Sequence, residues 1–533
     1  LSNLAMEDTC ADQIIADGGI NTLIADLGRV DLSASVIETE VKFLGRLMTS
    51  NKNVKEMINS GGVDAVLTVM HNNDANMEIM NAVAPTLVAM CTAAEDINSI
   101  VGSNGATALS TIITTINNHP EYAQSTEAGM KLIAKLASSQ KKDNKADLIA
   151  AGALVAATRA MAANPDSEVT QVNGIKIMSS LAAEPSYGKY IVDQGILTSV
   201  ISGLEQFVDN RAFVYDSFSL LSQLTTESNN GRADTITALK TPEAMEALTA
   251  SIINYGSDSK LKTLVSGVLG SIVDQSDVTT AMAKLKASAA NLDAENDEAS
   301  ADVRSALEQL TAYSISPATA PWLIEAGGLA EITKVLKAAA MNADISGQEG
   351  IISLCTGVLN ELLQNSSTKS QVLENLDKKS LKSILTAIKM NPNIDPASSM
   401  RLIQTLASDR TMQGLLAESG GVEAVVACVR GNSDNPEAVL DGVQTLLRMA
   451  TTPENIDKIT RKGAVRLVTK LLQENSKDKA FEGSIAPMMT LLSTITSDST
   501  AKEVAIKQGV KDTIMNLMND NLTDESIQAL GGK

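Results

Sequence analysis

Aromatic side chains are scarce in this sequence: 2% of 533 residues, with a single Trp. A core built around large rings is therefore excluded. Ala, Leu, Ile and Met must do the packing, and alanine is both the best helix former and small enough for close helix approach. Histidine occurs only as His71 and His119, each beside Asn. The side chain best suited to proton transfer near neutral pH is thus almost missing, and both histidines read as loop or cap residues. The four cysteines, Cys10, Cys91, Cys355 and Cys428, are scattered and never paired in sequence. Three lie in apolar helical runs, which points to buried free thiols and a reducing compartment. Basic residues fall short of acidic ones, 43 against 63, for a formal charge of −20. That balance argues against general nucleic-acid binding, which wants a basic domain, while leaving room for a local basic strip. No apolar run reaches the roughly eighteen residues of a membrane-spanning helix.

Chemistry-bearing strings are missing too. HExxH, CxxC, GxSxG and phosphate-loop patterns do not occur. The acidic run LDAENDE, residues 292–298, lacks the central Gly and the closing Glu of a calcium loop and reads as a solvated turn. Gly267 and Gly270 fall inside a helical pattern with no preceding strand, so close helix packing is expected there rather than nucleotide binding. The expectation is a chain without catalytic residues, cofactor or metal.

What the sequence does have is a period. VKEMINSGGVDAVLTVMHNN, residues 54–73, holds two runs with apolar spacing of three and four, split by Gly61-Gly62. The pattern recurs at Gly19, Gly105, Gly152, Gly195, Gly328, Gly421, Gly463 and Gly509. Successive gaps are 43, 43, 47 and 43 from Gly19 to Gly195, then 42 and 46 from Gly421 to Gly509. Weaker copies without glycine fit near Lys240, Lys284 and Lys378. A longer helix follows each pair, as in SVIETEVKFLGRLMTS and PEAVLDGVQTLLRMATT, after breaks such as Asp209-Asn210 and Asn435-Pro436 that suit helix starts. The order is short helix, glycine turn, helix, polar break, longer helix. Gly62, Gly105, Gly195 and Gly421 are expected in left-handed or tightly packed positions.

A period of 40–47 residues with two or three helices marks an armadillo or HEAT array. The glycine turn and the LSNLA-type end of the third helix, seen at residues 1–5, resemble the armadillo-repeat family; HEAT is the runner-up, and the three-helix layout argues against it. The resemblance covers essentially the whole chain. It implies an all-α, armadillo-type right-handed α-solenoid of about twelve three-helix repeats. The approximate units are 5–49, 50–92, 93–139, 140–183, 184–226, 227–274, 275–314, 315–364, 365–408, 409–451, 452–497 and 498–533. Each end falls within a repeat, so the expectation is an internal part of a longer polypeptide.

The resemblance also implies a concave track lined by third helices. Its positions are the Asn of LSNLA and the residue one turn earlier. Import adaptors of the family carry Trp and Asn there; here no Trp appears and Asn only at Asn3, which argues against such an adaptor. Trp322 falls in a first helix and reads as packing. The positions instead carry Lys42, Arg46, Lys131, Lys135, Lys176, Arg401 and Arg448, with Gln444 beside them and Glu361 the one acid. Basic grooves in adhesion and signalling relatives hold acidic extended peptides. The expected function is a non-enzymatic protein-interaction scaffold in the cytoplasm, part of a large cytoskeletal assembly such as a ciliary axoneme. The alternatives are one arm of a myosin or client chaperone, or a non-catalytic region of a larger enzyme or signalling protein. The expected partners are other proteins, several within one large complex, with an acidic extended peptide in the groove, no nucleic acid and no transmembrane contact.

Overall fold

A computed structural model describes residues 8–29, 31–48, 50–93, 105–138, 142–256, 258–290, 292, 297–342 and 347–532. LSNLA at residues 1–5 and most of the acidic run at 292–298 lie outside the described residues, as does the side chain of Cys91. Among the described residues every regular element is helical. The chain forms two compact units, Leu1–Ile272 and Val273–Lys533.

Each unit is a stack of armadillo-type repeats of three helices, except that the repeat opening the second unit has no separate first helix. In the first unit the longer third helices, Ala34–Leu47, Met77–Ala93, Ala123–Ala137, Glu168–Ala182, Arg211–Leu224 and Ser259–Ile272, pack one on the next. The second helices, from Gly19–Leu27 to Pro242–Asn254, form a parallel layer. The second unit repeats the scheme, with third helices Asp297–Ile315, Gln348–Gln364, Pro396–Ala407, Pro436–Met449, Glu482–Ile495 and Glu525–Gly531. The core lies between the layers and is mostly aliphatic, with Leu44, Leu47, Met57, Met80, Ile113 and Ile133 wholly buried, and Phe213 and Phe218 its largest members. Burying such a side chain contributes about 1.5–3 kcal/mol, so stability is spread over many modest contacts.

The glycine turn divides its labour in a way the spacing does not reveal. Where two glycines meet, the first is left-handed: Gly61 has φ 84° and ψ 15°, and Gly420 has φ 103°. The second glycine, Gly62, is helical and crowded. A Cβ there would lie 2.7 Å from Met57 Cγ and 2.9 Å from the Met57 carbonyl oxygen. Gly421 is crowded in the same way by Leu416. At single-glycine turns, Gly152, Gly195, Gly463 and Gly509 are themselves left-handed. On this register the period tightens: Gly18 to Gly61, Gly152 to Gly195, and Gly420 to Gly463 are each 43 residues. Gly105 opens the helix Gly105–Asn118.

Where the glycine is missing, a side chain starts the second helix instead. Thr241 accepts from the Ala244 amide, Asp377 from the Ser380 amide, and Asp274 forms a reciprocal capping box with Asp277. The start near Lys240 and the one at Lys378 therefore stand. Lys284 does not mark a turn: it lies within the unbroken helix Gln275–Ala289, which begins directly after the preceding third helix. Apolar spacing is the same in one long helix as in two short ones, so periodicity alone could not separate them.

Six second helices end on asparagine. Asn73, Asn164, Asn342, Asn391, Asn432 and Asn521 are C-caps with φ between −120° and −130°. In each the side-chain amide donates to the carbonyl four residues back. Three also reach the preceding repeat: Asn164 donates to the Pro120 carbonyl at 2.6 Å, Asn391 to Ala340 at 3.2 Å and Asn432 to Pro392 at 2.9 Å. In these three, one amide adds a second donor to a carbonyl that already accepts the asparagine's own backbone N–H, and ties the turn to the preceding repeat.

Candidate protein-binding face

Third helices bury one stripe and present another. In Ala34–Leu47, Ile37, Val41, Leu44 and Leu47 are buried, while Lys42 and Arg46, one turn apart, are exposed. Caps place these helices: the side chains of Ser167, Asn210 and Asn435 each accept backbone amides at their starts. Lys131 and Lys135 are exposed on Ala123–Ala137, Lys176 on Glu168–Ala182, Arg401 on Pro396–Ala407 and Arg448 on Pro436–Met449, where Gln444 is half-buried. All eight candidates thus lie on third helices at equivalent places, five in the first unit and three in the second.

The face is not purely basic. Lys42 pairs with Glu38 on its own helix. The Asp216 carboxyl, half-buried on the next third helix, is held above its ordinary range by burial, and Lys176 counters part of that shift. Asp441 is raised by burial and by Glu437, and Arg401 counters it. Each of these acids stands 40 residues beyond its cation, one repeat along. Arg448 reaches back the same distance to donate to Ser408 Oγ at 3.2 Å. Hydroxyls continue the pattern in the first unit: Ser138 and Ser180 are 3.3 Å apart, and Ser179 donates to Ser219 Oγ at 3.1 Å. Lys131 has no ion pair among the described residues. Neighbouring repeats thus supply part of the counter-charge to these cations. Asp216 and Asp441 were not anticipated, because only stacking shows which residue 40 positions away faces a given lysine. The 40-residue offset between cation and acid was the available signal.

The remaining sequence candidates fall elsewhere. His119 stacks on Tyr122 with ring centroids 4.6 Å apart and lies 3.5 Å from Glu121, a loop arrangement. Trp322 is half-buried on the first helix Ala320–Glu325. Cys355 and Cys428 are buried, and burial raises both thiols, Cys428 to about 12. Gly267 is not a close-packing glycine: a Cβ there would meet only Ser222 Oγ, at 3.9 Å. Among the described residues no group of His, Cys, Asp and Glu is arranged to hold a metal, and no single helix is long and apolar enough to cross a membrane.

No family model matches the chain, and no curated protein matches it. Solved structures with related helical arrangements include one from work on a phosphorylation switch controlling the interaction between cadherin and beta-catenin, with 14% identity, TM-score 0.41, and coverage of 96% of this chain and 98% of that one. SYS-1 is 12% identical at TM-score 0.35, covering 96% and 98%. UNC-45 from Drosophila melanogaster is 13% identical at TM-score 0.31, covering 99% of this chain and 78% of that one. At these scores the likeness carries no inference for this chain.

Proposed function

We propose that this chain is a non-enzymatic protein-interaction scaffold whose third-helix face binds an acidic, extended segment of a partner protein. The observation that carries this reading is the run of exposed cations, Lys42, Arg46, Lys131, Lys135 and Lys176, on third helices of the first unit in a chain of net charge −20. A positive strip on a negative molecule attracts an acidic segment while the rest of the surface repels it, which favours one docking register. Arg46 can grip a carboxylate with two hydrogen bonds, and the lysines act as point charges around it. Membership of a large cytoskeletal assembly such as a ciliary axoneme, in the cytoplasm, is part of the same proposal. It rests on the small-residue, aromatic-poor composition and is tested by imaging the tagged protein in cells.

Cross-linking mass spectrometry on native material identifies the partner segment. Its binding is then compared between the parent chain and the triple variant Arg46→Glu, Lys131→Glu, Lys135→Glu. Binding should weaken by more than about tenfold at physiological salt, with the melting temperature nearly unchanged. Equal binding by both would refute the reading.

A further inference from the structure

Charge of opposite sign gathers on the second helices of the two units. In the first unit these helices carry Asp26, Asp64, Glu205, Glu243 and Glu246 against one cation, Arg159. In the second unit two neighbouring second helices, Gly328–Met341 and Lys378–Met390, carry Lys334, Lys337, Lys378, Lys379, Lys382 and Lys389 against one acid, Glu331. Glu331 is taken up by Lys334 at 3.3 Å, and Lys378 pairs with Glu418 of a first helix at 2.7 Å. Glu423, on the following second helix, acts on Lys389 but is paired with Lys462 at 2.7 Å. Lys337 and Lys389 make no ion pair among the described residues.

Both lysine-rich helices end on an exposed methionine. Met341 is 66% and Met390 53% exposed. Before the other C-cap asparagines the same position holds Asn72, Ala163, Gly431 and Asp520, so the apolar residue is a departure confined to this pair. The two ends stand together, because Asn391, which follows Met390, donates to the carbonyl of Ala340, which precedes Met341. Lys334, Lys337 and Met341 recur three and four apart on one exposed stripe, as do Lys379, Lys382, Thr386 and Met390. A solvated face needs lysines but not methionines, whereas a flexible thioether suits contact with another surface.

The first unit holds the complement. On Pro242–Asn254, Glu243, Glu246, Ala250 and Ile253 recur three and four apart on an exposed stripe, and Ile253 is 42% exposed. Asn254 donates to the Val208 carbonyl at 3.0 Å, which joins this helix end to that of Ile196–Gln206, where Glu205 is exposed. Glu205 and Glu246 make no ion pair among the described residues.

We propose that the lysine and methionine surface of the second unit docks on the glutamate and isoleucine stripe of the first unit in a second copy of this chain. Cations meet acids, and Met341 and Met390 meet Ile253, at matching helical spacing. That complementarity selects the occupant. A nucleic acid would answer the lysines and leave the methionines idle, and membrane-docking helices insert Trp, Phe or Leu, which these stripes lack. Third helices form the opposite layer of each unit, so a second copy leaves the third-helix face open. The covered lysines also cease to compete with that face for an acidic segment.

Sedimentation velocity of the full chain over a concentration series up to about 100 μM reads the association. Three variants are compared with the parent: Lys337→Glu with Lys389→Glu, Glu205→Lys with Glu246→Lys, and Met341→Gln with Met390→Gln. All these positions are exposed, so the melting midpoints should stay close to the parent's. The parent should gain mass with concentration. Either charge swap alone sets like charges face to face and should weaken association by about tenfold or more, and the methionine variant by less. An equimolar mixture of the two charge swaps should restore association, because each altered surface then finds an oppositely charged one. A purely structural role for these side chains would not be rescued by mixing. A parent that stays monomeric throughout, swaps that associate like the parent, or a mixture that fails to recover would overturn the inference. Binding of a monomeric parent to phosphatidylserine vesicles, lost in the Lys337→Glu, Lys389→Glu variant, would also overturn it and assign the surface to lipid.

Discussion

Gly61 and Gly62 are adjacent and chemically identical, yet substitution should harm them through different physics. Gly61 is left-handed with open space around it, so Gly61→Ala meets no clash and suffers only backbone strain. That strain is about 1–2 kcal/mol, and Gly61→Asn should cost less because asparagine visits this conformation. Gly62 is helical, and its added Cβ would collide with Met57, whose side chain is wholly buried. Forcing a methyl into such a site costs about 1–3 kcal/mol. A double-mutant cycle separates the two mechanisms. In a Met57→Ala background the Gly62→Ala penalty should shrink, giving a coupling of about 0.5 kcal/mol or more, while the Gly61→Ala penalty should stay the same. Urea unfolding followed by circular dichroism at the helical band supplies the energies. If Gly62→Ala costs the same in both backgrounds, or Gly61→Ala is neutral, the division of labour at the turn is wrong.

The asparagine ladder makes a graded prediction. Asn432→Ala removes bonds to both Cys428 and Pro392, and by urea unfolding should cost about 1–3 kcal/mol, more than Asn521→Ala, whose amide bonds Leu517. Burial raises the Asp216 carboxyl, so its folded pKa exceeds its unfolded one. Stability contributed by the protonated acid is present below the unfolded value and is lost as pH rises through the folded value. Asp216→Asn should therefore flatten the stability-against-pH curve from the ordinary carboxylate range upward, and an unchanged curve would refute the burial argument. Cys355 and Cys428 are buried with raised thiol pKa values, so a neutral-pH thiol reagent followed by mass spectrometry should modify them only at the rate of unfolding.

The repeat was legible because its marker is chemically specific. A left-handed residue between two helices is nearly always glycine, so the period showed through weak sequence similarity. Which glycine of a pair is left-handed was not legible, since the answer depends on whether Met57 or Leu416 comes back against the second one. Lys284 was misplaced because helical spacing continues unbroken through a repeat that lacks its first helix. Asn210 and Asn435 were legible as helix starts, whereas the C-cap asparagines were not anticipated, and for Asn164, Asn391 and Asn432 the second partner lies a whole repeat away. The basic face was legible as a register on third helices, whereas its counter-charges, Asp216 and Asp441, belong to neighbouring repeats and needed the stacking.

Lysine footprinting of the native complex tests the central claim most directly. Free and partner-bound chains are acylated briefly, and each lysine is quantified by mass spectrometry. Lys131, Lys135 and Lys176 on third helices are compared with Lys382 and Lys511, which are exposed on second helices. The account predicts that partner binding slows modification of the first three and leaves the other two unchanged, with the protection fading as salt rises. Protection of Lys382 and Lys511 with Lys131, Lys135 and Lys176 still reactive would contradict it and place the partner on the opposite layer.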